Sequence, residues 1–211
     1  MPDINYKLEA KKEVLSENKR ELLFINITYP IFESEKQKEL CKNLTEYYEK
    51  GTEAFLKYCR EGLFEGLKRE ENKYKCGIVM NAKVSYLDEK YLSVITDISY
   101  FDGKTRRTKR LHDNFRFCGE YPLTLRARHF LPLTKRAKRL YTDEICSKII
   151  SGDGGFCYNE DAVKTAKRHF DADRFYLTPK GVAFYYEKGT ILPEKDGEAT
   201  FVIPYFAFEN I

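Results

Sequence analysis

The sequence predicts an α+β fold: an antiparallel sheet packed against one long N-terminal helix and two shorter helices. Three observations carry that reading. Apolar residues recur at helical spacing from Leu40 to Leu67. The texture switches to period two between Cys76 and Phe117. Near the end, two apolar runs flank Pro179-Lys180-Gly181 and a third run, Phe201-Val202-Ile203, follows, which is the pattern of a hairpin plus a closing strand.

The chain has 211 residues, enough for one sizeable core or two small ones, and its 42% hydrophobic content is that of an ordinary globular protein. Aromatic residues are mostly Tyr and Phe, with no Trp, a composition suited to half-buried sheet faces. No apolar run approaches the ~18 residues that a membrane-spanning helix needs. Met1 to Lys7 lacks the basic start and apolar centre of a signal peptide. With Met1 as the native start, the expected location is the cytoplasm; a trimmed fragment would belong outside it. Cys41, Cys59, Cys76, Cys118, Cys146 and Cys157 include no Cys-x-x-Cys pair, so reduced thiols and no metal or other cofactor are expected, a disulfide framework requiring an exported location.

The elements follow in order. Residues 4–9 and 21–29 read as strands, the second ended by Pro30. Ser34-Glu35-Lys36-Gln37 fits a helix-start capping box. Behind it Leu40, Leu44, Tyr47, Tyr48, Phe55, Tyr58, Cys59, Leu63 and Leu67 form one stripe, with Gly51 as an expected bend. Residues 76–86 and 91–101 alternate as strands around Asp88-Glu89-Lys90, and Asp102-Gly103 signals a hairpin leading into Lys104–Leu111. Helices are expected between Thr134 and Ser151, or from Thr142 if the first turn avoids positive charge, and between Asn159 and His169. Gly152-Asp153-Gly154-Gly155 reads as a plain turn, because it lacks the ligand spacing of a calcium loop. This order divides the chain into a strand–helix part over 1–75 and a meander with helices and a closing hairpin over 76–211, integrated as one unit.

Several stretches together resemble the PdaC/RsiV-like family. They are Tyr29-Pro30 before the long helix, Asn114-Phe115-Arg116-Phe117 with Gly119, Leu123-Thr124-Leu125, Phe130-Leu131-Pro132, and above all Phe175-Tyr176-Leu177-Thr178, Gly181, Phe184-Tyr185 and Ile203-Pro204-Tyr205. The family includes the sensing part of RsiV-type anti-sigma factors, which responds to lysozyme, and the N-terminal region of PdaC-type peptidoglycan deacetylases. The resemblance implies an α+β recognition domain that is not itself catalytic. One departure stands out: where relatives carry a Gly-Gly-Ala-His-Gly-like turn, this chain reads Phe101-Asp102-Gly103-Lys104-Thr105-Arg106-Arg107.

Charge is distributed unevenly. Residues 104–139 hold twelve Lys or Arg against Asp113 and Glu120, a net of +10, whereas the whole chain is +4. Such asymmetry creates a field that recruits anions. Arg106, Arg107, Lys109, Arg110, Arg126 and Arg128 are therefore the candidate residues for an anionic polysaccharide or a protein partner, their plainer reading being solvated faces paired with the acidic remainder. Nucleic acid is disfavoured, because no recognised motif is present and the isoelectric point of about 8.6 falls short of the usual footprint. For catalysis, His112, His129 and His169 each sit among basic or apolar neighbours, and neither Glu70-Glu71 nor Glu160-Asp161 forms a facing acid–base pair. Nucleophile-elbow, P-loop and His-Glu-x-x-His motifs are absent. A binding module is thus the leading expectation. A small hydrolase using a histidine, or an intracellular adaptor using the basic segment, are its rivals.

Overall fold

The computed structural model of the chain describes residues 3–69, 74–152 and 155–208. The expected acidic pair Glu70-Glu71 and the Asp153-Gly154 part of the Gly-rich turn lie outside these residues. Two strands, β1 (Asn5–Glu17) and β2 (Arg20–Glu33), form an antiparallel hairpin longer than the sequence pattern implies. Asn18 and Lys19 both take positive φ at its two-residue turn, the conformation that matches strand twist. Residues 10–17 have little strand character of their own, and pairing with the apolar β2 imposes it. Pro30 does not end β2: the pairing with the next strand stops at Thr28, and a strand side without a ladder tolerates a missing N–H.

Helix α1 (Lys38–Tyr58) follows. The expected capping box is replaced by a turn just ahead of the helix, where Ser34 Oγ accepts the N–H groups of Lys36 (3.2 Å) and Gln37 (3.0 Å). The helix passes straight through Gly51. Its irregularity lies at a π-helical turn, Cys59–Phe64, after which α2 (Glu65–Arg69) resumes the α geometry. The extra residue per turn re-aims the apolar stripe, so that Cys59 and Leu67 stay buried after Leu40, Leu44 and Leu56. Tyr47 and Tyr58, expected on the same stripe, are instead 49% and 56% exposed.

The long helix returns the chain in its original direction, so β2 and β3 (Cys76–Leu87) pair in parallel, the one departure from an antiparallel sheet. Strands β4 (Tyr91–Phe101), β5 (Arg106–Cys118) and β6 (Tyr121–Thr124) complete a six-stranded sheet in the order β1-β2-β3-β4-β5-β6. Its turns are made by carboxylates. Asp88 Oδ1 accepts the N–H groups of Lys90 and Tyr91, both at 2.7 Å. Asp102 takes the N–H groups of Lys104 and Thr105 together with the Thr105 hydroxyl, and these donors draw its carboxyl down to about 2. That loop occupies residues 102–105, so β5 begins at Arg106, two residues later than the Asp-Gly signal implies. One face of the sheet buries Ile25, Ile27, Ile78, Leu92 and Val94 against α1.

Beyond β6 come α3 (Ala127–Phe130), α4 (Lys135–Ile150) and α5 (Ala162–His169). Thr134 Oγ1 accepts the Ala137 N–H at 3.1 Å and starts α4, so Lys135 and Arg136 stand in a first turn without an acid, against the helix dipole. The alternative start at Thr142 is not used. Strands β7 (Phe175–Thr178), β8 (Gly181–Tyr186) and β9 (Ala199–Ile203) form a second, three-stranded antiparallel sheet. Gly181, at φ +152°, is required: a Cβ there would run into the Ile203 carbonyl. Every residue of β8 is buried. Val182, Phe184 and Tyr186 pack with α4 and α5, while Ala183 and Tyr185 pack with Ile95 of the large sheet. The small sheet therefore lies between the helices and β4–β5. The two largest clusters of buried side chains part near residue 120, and the large sheet itself crosses residue 75.

Candidate functional site

Strand β5 lines three clefts on the described surface. Its residues alternate between two faces and it has an exposed edge. Asn114 and His112 face the small sheet, while Asp113 and Phe115 face α1. Asn114 Nδ2 donates to the Phe175 carbonyl (2.8 Å), and its Oδ1 accepts the Ser93 hydroxyl (2.5 Å). Ser93 Oγ in turn accepts the Leu177 N–H at 3.0 Å. Ser93 is 0% and Asn114 is 3% exposed. These two buried polar side chains satisfy backbone groups on β7, the outer strand of the small sheet, and so join the sheets through a polar network.

Beside this joint is a cleft of about 370 Å³ lined by His112, Asp113, Tyr47, Arg126, Asp173 and Arg174, among others. Its ionisable groups are tied to their surroundings. His112 Nδ1 lies 2.7 Å from the Tyr185 hydroxyl, and burial lowers the imidazole below its ordinary range. Burial also pushes Tyr185 up to about 12. The Asp113 carboxylate projects to the opposite face, where it accepts the Tyr47 hydroxyl at 3.1 Å; desolvation raises Asp113 and takes Tyr47 to about 12. Asp173 Oδ1 accepts the Ala127 N–H at 2.9 Å, and Arg174 reaches Asp171 (3.5 Å) and Glu187 (3.4 Å). His112 is thus oriented by the Tyr185 hydroxyl, while the Asp113 carboxylate bonds to Tyr47 on the other face of the strand. His129 and His169 lie exposed on α3 and α5. No group of three or more His, Cys, Asp or Glu that could hold a metal occurs among the described residues.

The candidate cations separate into three sets. Arg110 is structural: it makes a two-point contact with Asp97 (2.7 and 2.9 Å), and its Nε lies 3.1 Å from Glu198. Glu198 is itself largely buried, and desolvation raises its carboxyl. Arg126 and Arg128 stand apart at α3, Arg126 on the rim of the His112 cleft and Arg128 donating to His129 Nε2 at 3.1 Å. Arg106, Arg107 and Lys109 are exposed at the far end of β5 and have no ion pair among the described residues. Two clefts of about 310 and 410 Å³ run beside them, bounded by Thr108, Arg110, Lys188 and Glu198.

Sequence reasoning missed Ser93, Asp97, Asn114, Tyr185 and Glu198. A signal existed for the first: Ser93 interrupts the apolar run Leu92–Ile95. For Glu198, which lies 88 residues from Arg110 along the chain, no local pattern could have found the pairing.

The fold and site thus define a two-sheet α+β protein in which a joint, a cleft and a basic edge share one strand. Comparison with known proteins bears on the fold. Residues 138–206, running from the first turn of α4 through the whole small sheet, match the model of a family described as "Protein of unknown function (DUF3298)". Among solved structures, the chain is similar to a DUF3298 family member from Bacteroides fragilis, at 18% identity and a TM-score of 0.65, over 100% of this chain and 94% of that one. It is also similar to a DUF3298 family protein from Pseudomonas aeruginosa PAO1, at 14% identity and a TM-score of 0.56, over 99% and 93%. At these identities the likeness is one of fold. A search of curated proteins finds no match.

Proposed function

We propose that the chain is a non-catalytic recognition module of the PdaC/RsiV-like type that grips an anionic partner, a wall polymer or an acidic protein surface, through the basic end of β5. One observation carries this reading: Arg106, Arg107 and Lys109 are exposed on a strand without an ion pair among the described residues, while neighbouring Arg110 is consumed by Asp97 and Glu198. Exposed cations of one sign that the fold does not neutralise create a field for an opposite charge. The match to DUF3298 over residues 138–206 supports the fold that carries this strand. The reading requires neither metal nor cofactor.

The test is a binding panel of anionic wall polymers, peptidoglycan fragments, lysozyme and acidic proteins, run at low and high salt against the chain and against the triple variant Arg106→Glu, Arg107→Glu, Lys109→Glu. Salt-sensitive binding of an anionic member that the triple variant loses is expected. Binding that survives the triple charge reversal would remove the basic end of β5 from the function.

A further inference from the structure

The basic end of β5 is also the place where the large sheet is left unfinished. Strand β5 spans Arg106–Cys118, but its outer neighbour β6 pairs only with Phe115–Cys118. One more bond, from the Leu125 N–H to the Asn114 carbonyl (2.7 Å), extends that covering by a residue. From Arg106 to Asp113 no strand lies on this side among the described residues.

The hydrogen-bond parity of this edge is fixed. The Asn114 carbonyl points outward to Leu125, whereas the Phe117 N–H points inward to the Lys90 carbonyl at 2.8 Å. The pairing of β4 with β5 runs from Tyr91↔Arg116 to Phe101↔Arg106 without a bulge. In an antiparallel ladder both main-chain groups of a residue face the same side and successive residues alternate. Arg106, Thr108 and Arg110 therefore present their N–H and C=O groups to the open edge, while Arg107 and Lys109 bond to β4. At Arg110 the side chain is tied to Glu198, Nε to Oε2 at 3.1 Å, which brings the segment before β9 against the edge there. The vacant stretch is Arg106–Lys109.

Uncovered strand edges recruit strands, and side chains beside the edge select which ones. Here they select for acid. Arg106, Arg107 and Lys109 make no ion pair among the described residues, whereas the acids on the far wall of the adjoining clefts are already held: Glu187 by Arg174, Glu194 by Lys188 and Glu198 by Arg110. An extended chain laid along this edge would place alternate side chains opposite Arg107 and Lys109, where an acidic residue pairs favourably across strands.

We infer that β5 accepts an acidic, extended segment of a partner protein as an added strand, anchored by main-chain bonds to Arg106 and Thr108 and selected by Arg106, Arg107 and Lys109. This rests on the recognition reading above and specifies its partner and mode. The probe is a synthetic eight-residue peptide of alternating Glu and Val, titrated by fluorescence anisotropy into the full chain. Two further peptides of the same sequence carry N-methyl groups on every other amide, one in each register, which removes donors from one side without changing charge. The third arm is Thr108→Pro, which deletes an outward N–H while leaving the ladder to β4 whole, with Thr108→Val as its control.

Salt-sensitive binding of the plain peptide is expected, weakened about tenfold or more by N-methylation in one register and by Thr108→Pro, but not by Thr108→Val. If Thr108→Pro fails to fold, the N-methylated peptides on the unaltered chain decide the matter alone. Equal binding of the plain and both N-methylated peptides overturns strand addition. If the triple charge reversal still abolishes that binding, the recognition reading survives it. No binding of the plain peptide also overturns strand addition, and the recognition reading then stands or falls on the wider panel.

Discussion

The two sheets bury their residues by opposite rules. In the six-stranded sheet burial is one-sided away from the small sheet, as along β3, and two-sided only where the small sheet lies on it, at Leu92–Thr96 of β4. The three-stranded sheet is covered on both faces, and β8 reads as six consecutive buried residues, Gly-Val-Ala-Phe-Tyr-Tyr. The difference teaches where tolerance lies. A sheet covered on one face over part of its width keeps solvent-facing positions that packing does not use. A sheet covered on both sides is committed to packing, and the segment that matches a family model is the one that contains the covered sheet.

The sharpest way to break this comparison is to cut into each sheet. Phe184, 1% exposed and stacked on Tyr141 at a centroid distance of 5.7 Å, faces the helices. Phe184→Ala is expected to cost about 3–5 kcal/mol in urea unfolding, as for other large-to-small core changes. A cost under about 1 kcal/mol would mean that the small sheet is not the rigid core described here.

Next in size is the joint. Asn114→Ala leaves the Phe175 carbonyl without its side-chain donor and is expected to cost about 1–3 kcal/mol. Because Ser93 bonds both to Asn114 and to the Leu177 N–H, the Ser93→Ala and Asn114→Ala losses should not add; a double-mutant cycle should show coupling above about 0.5 kcal/mol. Strict additivity would refute a shared network.

A smaller effect follows from His112, which Tyr185 meets from β8, Asp171 and Asp173 from the segment before β7, and Asp113 from its own strand. Burial lowers its folded pKa below the ordinary 6.5. The stability it contributes is therefore complete above 6.5 and is lost as pH falls from there toward the folded value. Asp113 has the opposite sign: its folded pKa is raised above 3.8, so its burial costs stability at neutral pH and the cost fades on acidification. Urea midpoints measured between about pH 7 and about pH 5.5 should fall less in His112→Gln than in the parent chain. An unchanged slope would show that His112 titrates as it does in the unfolded chain.

The least effect is expected on the outer strand of the large sheet. Leu8 is 51% exposed on β1, and Leu8→Ala should stay within about 0.5 kcal/mol of the parent by the same unfolding measurement. A loss as large as that of Phe184→Ala would erase the contrast between the sheets.

Periodicity and turn chemistry, both local, determined the α+β class, the long helix, the strands around Asp88 and Asp102, the two later helices and the closing hairpin at Gly181. The concentration of positive charge over residues 104–139 was equally plain in the sequence. What failed was whatever depended on a distant partner. Residues 10–17 became a strand because β2 lies beside them, and Pro30 stayed within β2 because the β2–β3 pairing ends at Thr28. Only the tertiary structure decided that Arg110 is held by Asp97 and Glu198 while Arg106, Arg107 and Lys109 are not, that Ser93 and Asn114 join two sheets, and that β5 outruns β6. Hydrogen bonds and ion pairs between residues tens of positions apart leave no spacing along the chain, and an uncovered edge is defined by where a neighbouring strand ends.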